Sequence, residues 1–441
     1  MEAKLRLKFG LFTIFFMFCL SFFSHAAELT LDEAVDRAVE YNFNLQKQKI
    51  DIASSGYSEK NIWGEIFPSI NAEARFGYGS PLFSGNGFEF NDKGLEYRLN
   101  LGVSFAFNAG LSYSMKSIRL AHQSNLLKYE DAVNQLSIQV TKKYFALIAE
   151  MNNIKLLEEM SNLAYRQLTR SEVSFRNGIV GESSLLQSRL AMENARYNLS
   201  AARTAYNNNM AEFLAMLGMT PNDDLSLSGK VTIVRIEADA QKLIDGHLRL
   251  RPDIVRSTQE IERLNLAHIQ TVLQSRAPQL NLSFNWNSRV FDPFTDRLSG
   301  TASVSIPVDP WIPGTARSQN VSRASEAVEK AKLDLAITED AAKTQIRSLS
   351  ALLRGSWESI LIARLSMETA RRSYQLTEQG FQNGRVEALA LEDVRNNLAN
   401  ARYRVLQAEL SYFNMILDLS AALNINWKDL IEKFGVKGEE R

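Results

Sequence analysis

Apolar and polar residues follow two different periods along this chain, and the changes of period mark its elements. In the first half Ile70, Ala72, Ala74, Phe76 and Tyr78 alternate with Asn71, Glu73, Arg75 and Gly77. Leu95, Tyr97, Leu99, Leu101, Val103, Phe105 and Phe107 then alternate with Glu96, Arg98, Asn100, Gly102, Ser104 and Ala106. The second half sets Leu280, Leu282, Phe284 and Trp286 against Asn281, Ser283, Asn285 and Asn287. It then sets Ala302, Val304, Ile306 and Val308 against Thr301, Ser303, Ser305 and Pro307. A period of two predicts four strands, each with one apolar and one polar face.

Elsewhere the period is helical. Residues 113 to 177 contain neither Gly nor Pro, and between 315 and 379 the only one is Gly355. Each run of about 65 residues predicts a helix about 95 Å long. Two further clean runs, 182 to 217 and 385 to 434, place Leu185, Leu186, Leu190 and Tyr197, then Leu389, Val394, Leu398 and Val405, at helical spacing. These apolar stripes are narrow, as coiled-coil-like packing requires.

The chain reads twice. Phe175-Arg176-Asn177-Gly178 returns as Phe381-Gln382-Asn383-Gly384, an offset of 206 residues, and Ala195-Arg196-Tyr197 returns as Ala401-Arg402-Tyr403 at the same offset. Pro68-Ser69-Ile70-Asn71 resembles Pro278-Gln279-Leu280-Asn281. The expected organisation is a first repeat over 27–218 (a helix, a β-hairpin at 69–107, a helical hairpin turning near 178), a linker at 219–240, a second repeat over 241–420 (a β-hairpin at 279–308, a helical hairpin turning near 384) and a C-terminal segment at 421–441. Asn-Gly supplies the left-handed residue that ends a helix, so each site turns a long helix back on itself.

Two readings of the strands stand side by side. They are half-buried hairpins of a soluble domain, or they are transmembrane strands, apolar toward lipid and polar toward a lumen. Charge on one face (Glu73, Arg75, Glu96, Arg98) and aromatics at strand ends (Tyr78, Tyr97, Phe107, Trp286) favour the second. Four strands cannot close a barrel, and open edges are forbidden in lipid. Two chains would give eight strands and a filled barrel; three would give twelve and room for water.

The N-terminus adds a destination. Lys4, Arg6 and Lys8 precede an apolar run from residue 9 to 23, and Ser24-His25-Ala26 closes it with a small-x-small pattern. Residues 1–26 read as a secretory signal peptide; the alternative, a membrane anchor, would need about 20 apolar residues. Cys19 is the only cysteine and follows the bulky Phe16-Met17-Phe18, which argues against a lipid-attachment site. Cleavage removes three basic residues and one acidic from a balance of 50 and 50, leaving 47 against 49.

Balanced charge argues against a nucleic-acid partner, and four His with one Cys offer little for a metal centre. No nucleophile–base–acid constellation, phosphate-binding glycine loop or other cofactor motif is visible. His122, His247 and His268 are scattered among helical stretches and read as surface or packing residues.

Taken in order, these features resemble the outer-membrane efflux proteins of the TolC family over essentially the whole mature chain. The resemblance is carried by the duplication, by Thr30-Leu31-Asp32-Glu33-Ala34-Val35, by Arg251-Pro252-Asp253, by Pro68 and Pro278, by Phe107-Asn108-Ala109-Gly110, and by Gly384 followed by Asp393. It implies a mainly α chain with long antiparallel coiled-coil-like helices forming a periplasmic α-barrel, plus four transmembrane strands contributing to a 12-stranded trimeric β-barrel in outer-membrane lipid. It also implies a homotrimer that receives cargo from an inner-membrane pump through a periplasmic adaptor, as the exit duct for efflux or type I secretion. Asn177, Gly178, Asn383 and Gly384 would then meet the adaptor at the periplasmic tip. Of two constricting acidic positions, one falls on Ala390 and the other on Asp393, with Glu387 or Glu392 as substitutes for the first. Lipidated members carry a cysteine at the mature N-terminus, which this chain lacks. A soluble periplasmic coiled-coil scaffold or adaptor is the alternative function.

Overall fold

The structure, a computed structural model, describes residues 27–78, 83–84, 87–88, 95–220, 225–229, 233–289, 297–383 and 385–436. The expected signal peptide and Gly384 lie outside them. The elements in order are β1 (Ala27–Leu29), α1 (Leu31–Tyr41), α2 (Phe43–Lys60), β2 (Ser69–Tyr78), β3 (Phe83–Ser84), β4 (Gly87–Phe88), β5 (Leu95–Phe107), α3 (Leu111–Arg176) and α4 (Glu182–Met216). They continue with β6 (Leu225–Leu227), α5 (Ala240–His247), α6 (Pro252–Arg276), β7 (Gln279–Arg289), β8 (Arg297–Ser305), α7 (Ala316–Gln382), α8 (Ala388–Leu423) and α9 (Trp427–Phe434). At 66 and 67 residues, α3 and α7 match the two long runs without punctuation.

Two compact units form, and each draws on both halves of the duplication. One gathers residues 1–46, 132–246 and 345–441; the other gathers 47–131 and 247–344. A long helix buries too little against itself to stand alone, so the repeats interleave rather than fold as separate domains.

The second unit holds a four-stranded antiparallel sheet in the order β2-β5-β7-β8. Its register joins like with like. Ile70 faces Val103, Val103 faces Phe284, Leu101 faces Trp286 and Leu280 faces Val304 on one side. Ser69, Ser104, Ser283 and Thr301 line up on the other. A slip of one residue would exchange the faces. On the apolar face Phe76 is 73% exposed, Phe284 51% and Leu298 80%. Among the described residues β2 and β8 each pair on one side only.

The second hairpin departs from its expected limits. β8 ends at Ser305, leaving Ile306 and Val308 outside the ladder, because Pro307 has no N–H to donate. A 3-10 turn, Asp309–Trp311, follows. β7 continues to Arg289, so Trp286 lies within the strand rather than at its end. In the same unit, Arg251-Pro252-Asp253 starts α6. Pro252 occupies the first turn, where a missing N–H costs nothing. Arg251 donates through Nε and Nη2 to Asp253 Oδ1 and Oδ2 at 3.0 and 2.7 Å, and Oδ1 also accepts from the Ile254 amide at 2.9 Å. Burial pushes the Asp253 carboxyl up, but Arg251 and that amide outweigh it and hold the group below its ordinary value.

The first unit is helical around an aromatic core. Phe145 packs edge-on against Phe413 with centroids 4.7 Å apart, and Phe413 against Trp427 at 5.3 Å. β1 pairs in parallel with β6, so the expected linker is partly an ordered strand. The buried Tyr144 hydroxyl lies 2.8 Å from the Leu29 carbonyl and 2.5 Å from that of Ser228, fastening both strands to α3. Thr30 and Glu33 form a reciprocal capping box at the start of α1, which gives the opening Thr-x-x-Glu its physical role.

The expected clean run to residue 434 is interrupted. Asn424 adopts the left-handed conformation (φ 53°, ψ 46°) and ends α8, and the Asn426 side chain accepts from the Lys428 amide at 2.9 Å to begin α9. Asparagine performs here the task usually given to glycine, so a search for Gly and Pro passes over the break.

The linker is held by backbone bonds to the C-terminal segment, Glu237 N–H to the Phe434 carbonyl at 3.1 Å and Val436 N–H to that of Arg235 at 2.8 Å, and by one buried phenol. Tyr412 Oη accepts from the Ile236 amide at 2.9 Å and donates to the Val234 carbonyl at 3.1 Å. Tyr412→Phe leaves that amide without its acceptor and should cost about 1–3 kcal/mol. Limited proteolysis should then cut within residues 229–240 faster than in the wild type; equal rates would contradict the anchoring role.

Candidate functional site

Both Phe-x-Asn-Gly sites end their helices as expected, and the first shows how. α3 stops at Arg176, Asn177 is the cap, and Gly178 takes φ +68°. The Ile179 amide then donates back to the Ser174 carbonyl and the Gly178 amide to that of Phe175, both at 2.9 Å. This is the Schellman pattern, which satisfies carbonyls that would otherwise be orphaned. At the second site the Arg385 amide donates to the Gly380 carbonyl at 2.9 Å, the same bond displaced by 206 residues. Asn177, Gly178 and Asn383 are all exposed.

The second turn is tightened by a close approach. A methyl group placed on Gly380 would meet Val386 Cγ2 at 2.7 Å. Packing between the last turn of α7 and the segment entering α8 therefore depends on the absence of a side chain there.

The three acidic candidates occupy different environments. Glu387 is the N-cap of α8, with extended backbone (φ −75°, ψ 154°) and no side-chain capping bond, at the position Gly181 holds before α4. It is exposed, and its charge suits the positive end of a helix dipole. Glu392 faces Arg395 one turn on, at 3.9 Å, with its side chain only 22% exposed. Asp393 is exposed on the neighbouring helical position. Of the candidates, Asp393 and Glu387 are open to solvent, and Glu392 is half-buried against a cation.

Arg395 belongs to a polar group that sequence reading did not single out. Its side chain is 12% exposed. The Tyr374 hydroxyl on α7 donates to Glu378 Oε1 at 3.1 Å. Burial first, then Glu378, push the Tyr374 phenol above its ordinary value, with Arg395 and Arg402 opposing. Arg402 reaches Glu159 on α3 at 3.8 Å and so links the two helical hairpins. The i,i+3 spacing of Glu392 and Arg395 was a signal available in the sequence; the reach of Arg402 to a residue 243 positions earlier was not.

Further from the turns, the hairpins are registered by polar pairs. Ser171 and Ser188, both buried, lie 2.8 Å apart, and Arg203 meets Glu158 at 2.6 Å between α4 and α3. Arg364 meets Glu409 at 2.8 Å between α7 and α8, and Lys142 meets Asp418 at 2.5 Å between α3 and α8. Partly exposed pairs are worth about 0–1 kcal/mol each, so they set alignment more than stability. A groove of about 400 Å³ runs between α7 and α8, lined by Ile362, Leu365, Thr369 and Val394 among others.

Among the described residues no group of three or more His, Cys, Asp or Glu could hold a metal ion. His122 lies 3.0 Å from Ser55 Oγ and 3.6 Å from Glu59, and the Ser55 hydroxyl also lies 3.0 Å from the Ile52 carbonyl. The contact ties α3 to α2. Among the described residues no helix is long and apolar enough to cross a membrane.

Comparison with known proteins adds ancestry to this geometry. The model of the family described as "Outer membrane efflux protein" matches residues 34–219 and 243–424. The "Probable efflux pump outer membrane protein TtgC" of Pseudomonas putida is 24% identical over 412 residues, covering 90% of this chain and 83% of that protein. The CmeC outer membrane channel of Campylobacter jejuni superposes with a TM-score of 0.74 at 17% identity, covering 91% of this chain and 88% of that one. The outer membrane protein VceC of Vibrio cholerae superposes with a TM-score of 0.72 at 13% identity, covering 90% and 96%.

The two glycines flanking the first turn have opposite requirements. Gly178→Ala forces a side chain into the left-handed region and should cost about 1–2 kcal/mol locally. Gly181 has ordinary backbone and open space around it, so Gly181→Ala adds no strain to the turn, its only cost being the poorer N-cap it leaves α4. Hydrogen exchange of the Ile179 amide reads the difference: about tenfold faster in Gly178→Ala and unchanged in Gly181→Ala. Equal exchange in both would contradict the turn geometry.

Proposed function

The chain belongs to the outer membrane efflux protein family, and from that premise we propose how its parts work. It is an outer-membrane efflux channel with a large periplasmic portion, a passive duct rather than an enzyme, which takes its cargo from an adaptor and an inner-membrane pump. Three copies assemble, their twelve strands close one β-barrel, and their long helices continue it as a periplasmic tunnel. Residues 1–26 direct export and are removed.

One observation carries this reading. Among the described residues the chain presents a four-stranded sheet whose apolar face exposes Phe76, Leu101, Phe284, Leu298 and Val304 and whose edge strands pair on one side only. Strands of 9 to 13 residues are long enough to span a bilayer at the usual tilt. In lipid the edges must find partners, and other copies of the chain supply them. The helices support the same conclusion. Leu186, Leu190 and Tyr197 are exposed on α4 at spacings of four and seven, and Ile362, Leu365 and Leu376 are exposed on α7 at the matching heptad pattern. Such stripes suit packing against a neighbouring chain. A soluble scaffold offers no cover for the apolar sheet face and is the weaker reading.

At the tip, Asn177, Gly178, Asn383 and Gly384 present the turns to the adaptor. Asp393, with Glu387, lines the constriction, and Glu392 supports it through Arg395. Three Asp393 carboxylates around a narrow axis would repel one another and attract cations. Cargo is either small molecules or, in a type I secretion arrangement, proteins; the mostly neutral polar face of the sheet selects weakly between them.

Sucrose-gradient fractionation should place the protein with outer-membrane markers; recovery in the soluble periplasm would favour the scaffold. In planar bilayers Asp393→Asn should raise conductance or weaken block by multivalent cations. Unchanged current and unchanged block would remove Asp393 from the constriction.

A further inference from the structure

The apolar band of the sheet runs on past the strands at the end where the helices begin. Leu280 faces Val304 near the end of the ladder, and both are exposed. Beyond them Ile306, Val308, Trp311 and Ile312 are exposed as well, through the 3-10 turn that leads toward α7. Trp311 is 63% exposed although it is among the largest apolar side chains. The turn before β2, Ile62–Ile66, matches it: Trp63 is exposed there, and so is Phe67 just after.

One charge sits in this apolar surround. Arg276 ends α6, and its guanidinium carbon lies over the Trp311 ring, 4.8 Å from the centroid. A cation–π contact uses the charge of the group and leaves its five N–H donors free. The residue is half-buried, and its Nε is buried with no hydrogen-bond partner. Among the described residues Arg276 makes no hydrogen bond or ion pair. The carboxylates of the two turns are already engaged: Asp309 meets Arg317 at 3.0 Å, and Glu65 accepts from the Ser114 hydroxyl at 3.1 Å. The acid-bearing segments 79–94 and 290–296 join the strands at their opposite end, about 34 Å away along β7. A half-buried cation without an anion is costly, so the site calls for an anion that brings its own apolar body.

Position identifies that body. β7 runs ten residues from Gln279 to Arg289, or about 25 Å along the membrane normal at a tilt of about 45°. An outward apolar band is about 25 Å tall. The start of β7, beside Arg276, therefore lies at the rim of the band on the helical side, at the level of lipid headgroups. Tryptophan is enriched at that level, and arginine reaches headgroups while its stem lies on apolar surface.

We propose that Arg276 and Trp311 form a binding site for a phospholipid of the periplasmic leaflet. The guanidinium holds the phosphodiester, and the acyl chains lie along Val308, Ile306, Val304 and Leu280. Guanidinium–phosphate pairs are charge-assisted and accept bidentate geometry, which a ligand without phosphate does not reproduce. This inference rests on the shared-barrel reading above. The rival counter-ion is Glu65 of the next copy, because its turn precedes the edge strand β2 and the seam between copies passes beside β8.

The test titrates detergent-extracted, delipidated protein with dioleoylphosphatidylglycerol and counts bound lipids by native mass spectrometry. Arg276→Gln should weaken the tightest binding about tenfold. Arg276→Lys should weaken it less, and it reads the site if the glutamine variant does not assemble. Arg166→Gln, exposed on α3, should leave binding unchanged. Dioleoylglycerol, which lacks the phosphate, should not fill the site, and glycerol 3-phosphate should not displace the lipid. Displacement by glycerol 3-phosphate at equal concentration would show a free-phosphate site and overturn the lipid assignment. Equal lipid binding in wild type and both Arg276 variants would overturn the inference while leaving the channel intact. So would loss of the multi-chain particle in Arg276→Gln and Glu65→Gln alike with lipid binding unchanged, which would give Arg276 to the neighbouring copy. A wild-type protein that stays in solution without detergent would overturn the barrel reading and the lipid site with it.

Discussion

Every buried backbone N–H and C=O needs a partner, and hydrocarbon supplies none. That constraint organises this molecule. Among the described residues β5 and β7 are paired on both sides, whereas β2 and β8 each pair with one strand. Water would satisfy their outer edges only by also wetting a face built of Ile70, Phe76, Leu101, Phe284 and Leu298. Lipid would cover the face but not the edges. In the proposed reading a closed arrangement of several copies answers both demands, and the number of copies follows from the width of lumen a duct requires.

The helical part fits the same proposed assembly by a different route. The buried core of the first unit is concentrated around Tyr144, Phe213, Phe413 and Leu417, whereas Leu190, Tyr197, Ile362 and Leu365 stay open on the long helices. Ion pairs such as Arg203–Glu158 and Arg364–Glu409 align each hairpin at little energetic gain. Helices of this length are stabilised mainly by tertiary burial, and one chain buries only part of each stripe. Near the turns, the polar group around Arg395 and the close packing at Gly380 lie beside the proposed constriction.

Much of this was legible in the sequence because period and punctuation are local signals. β5 spans 95 to 107 as its alternation predicts, and α3 and α7 fill the runs that lack Gly and Pro. The misses have local causes too. Pro307 ended β8 before an alternation that continued to Val308, and Asn424 ended α8 where no Gly or Pro stood. What was not legible is non-local: the parallel pairing of β1 with β6, the interleaving of the two repeats, and the register that sets Arg75, Arg98 and Arg289 abreast. Each arginine was visible singly, and only the pairing of strands made them a row. For the acidic candidates, sequence named Glu387, Glu392 and Asp393 together, and burial beside Arg395 separated Glu392 from the other two.

The account stands on one count. Native mass spectrometry of detergent-extracted protein from purified outer membranes should give three chains per particle, and hence twelve strands in one barrel. A particle of one chain would leave the edges of β2 and β8 unpaired, and one of two chains would give eight strands and a barrel filled by its own side chains; either would contradict the shared duct.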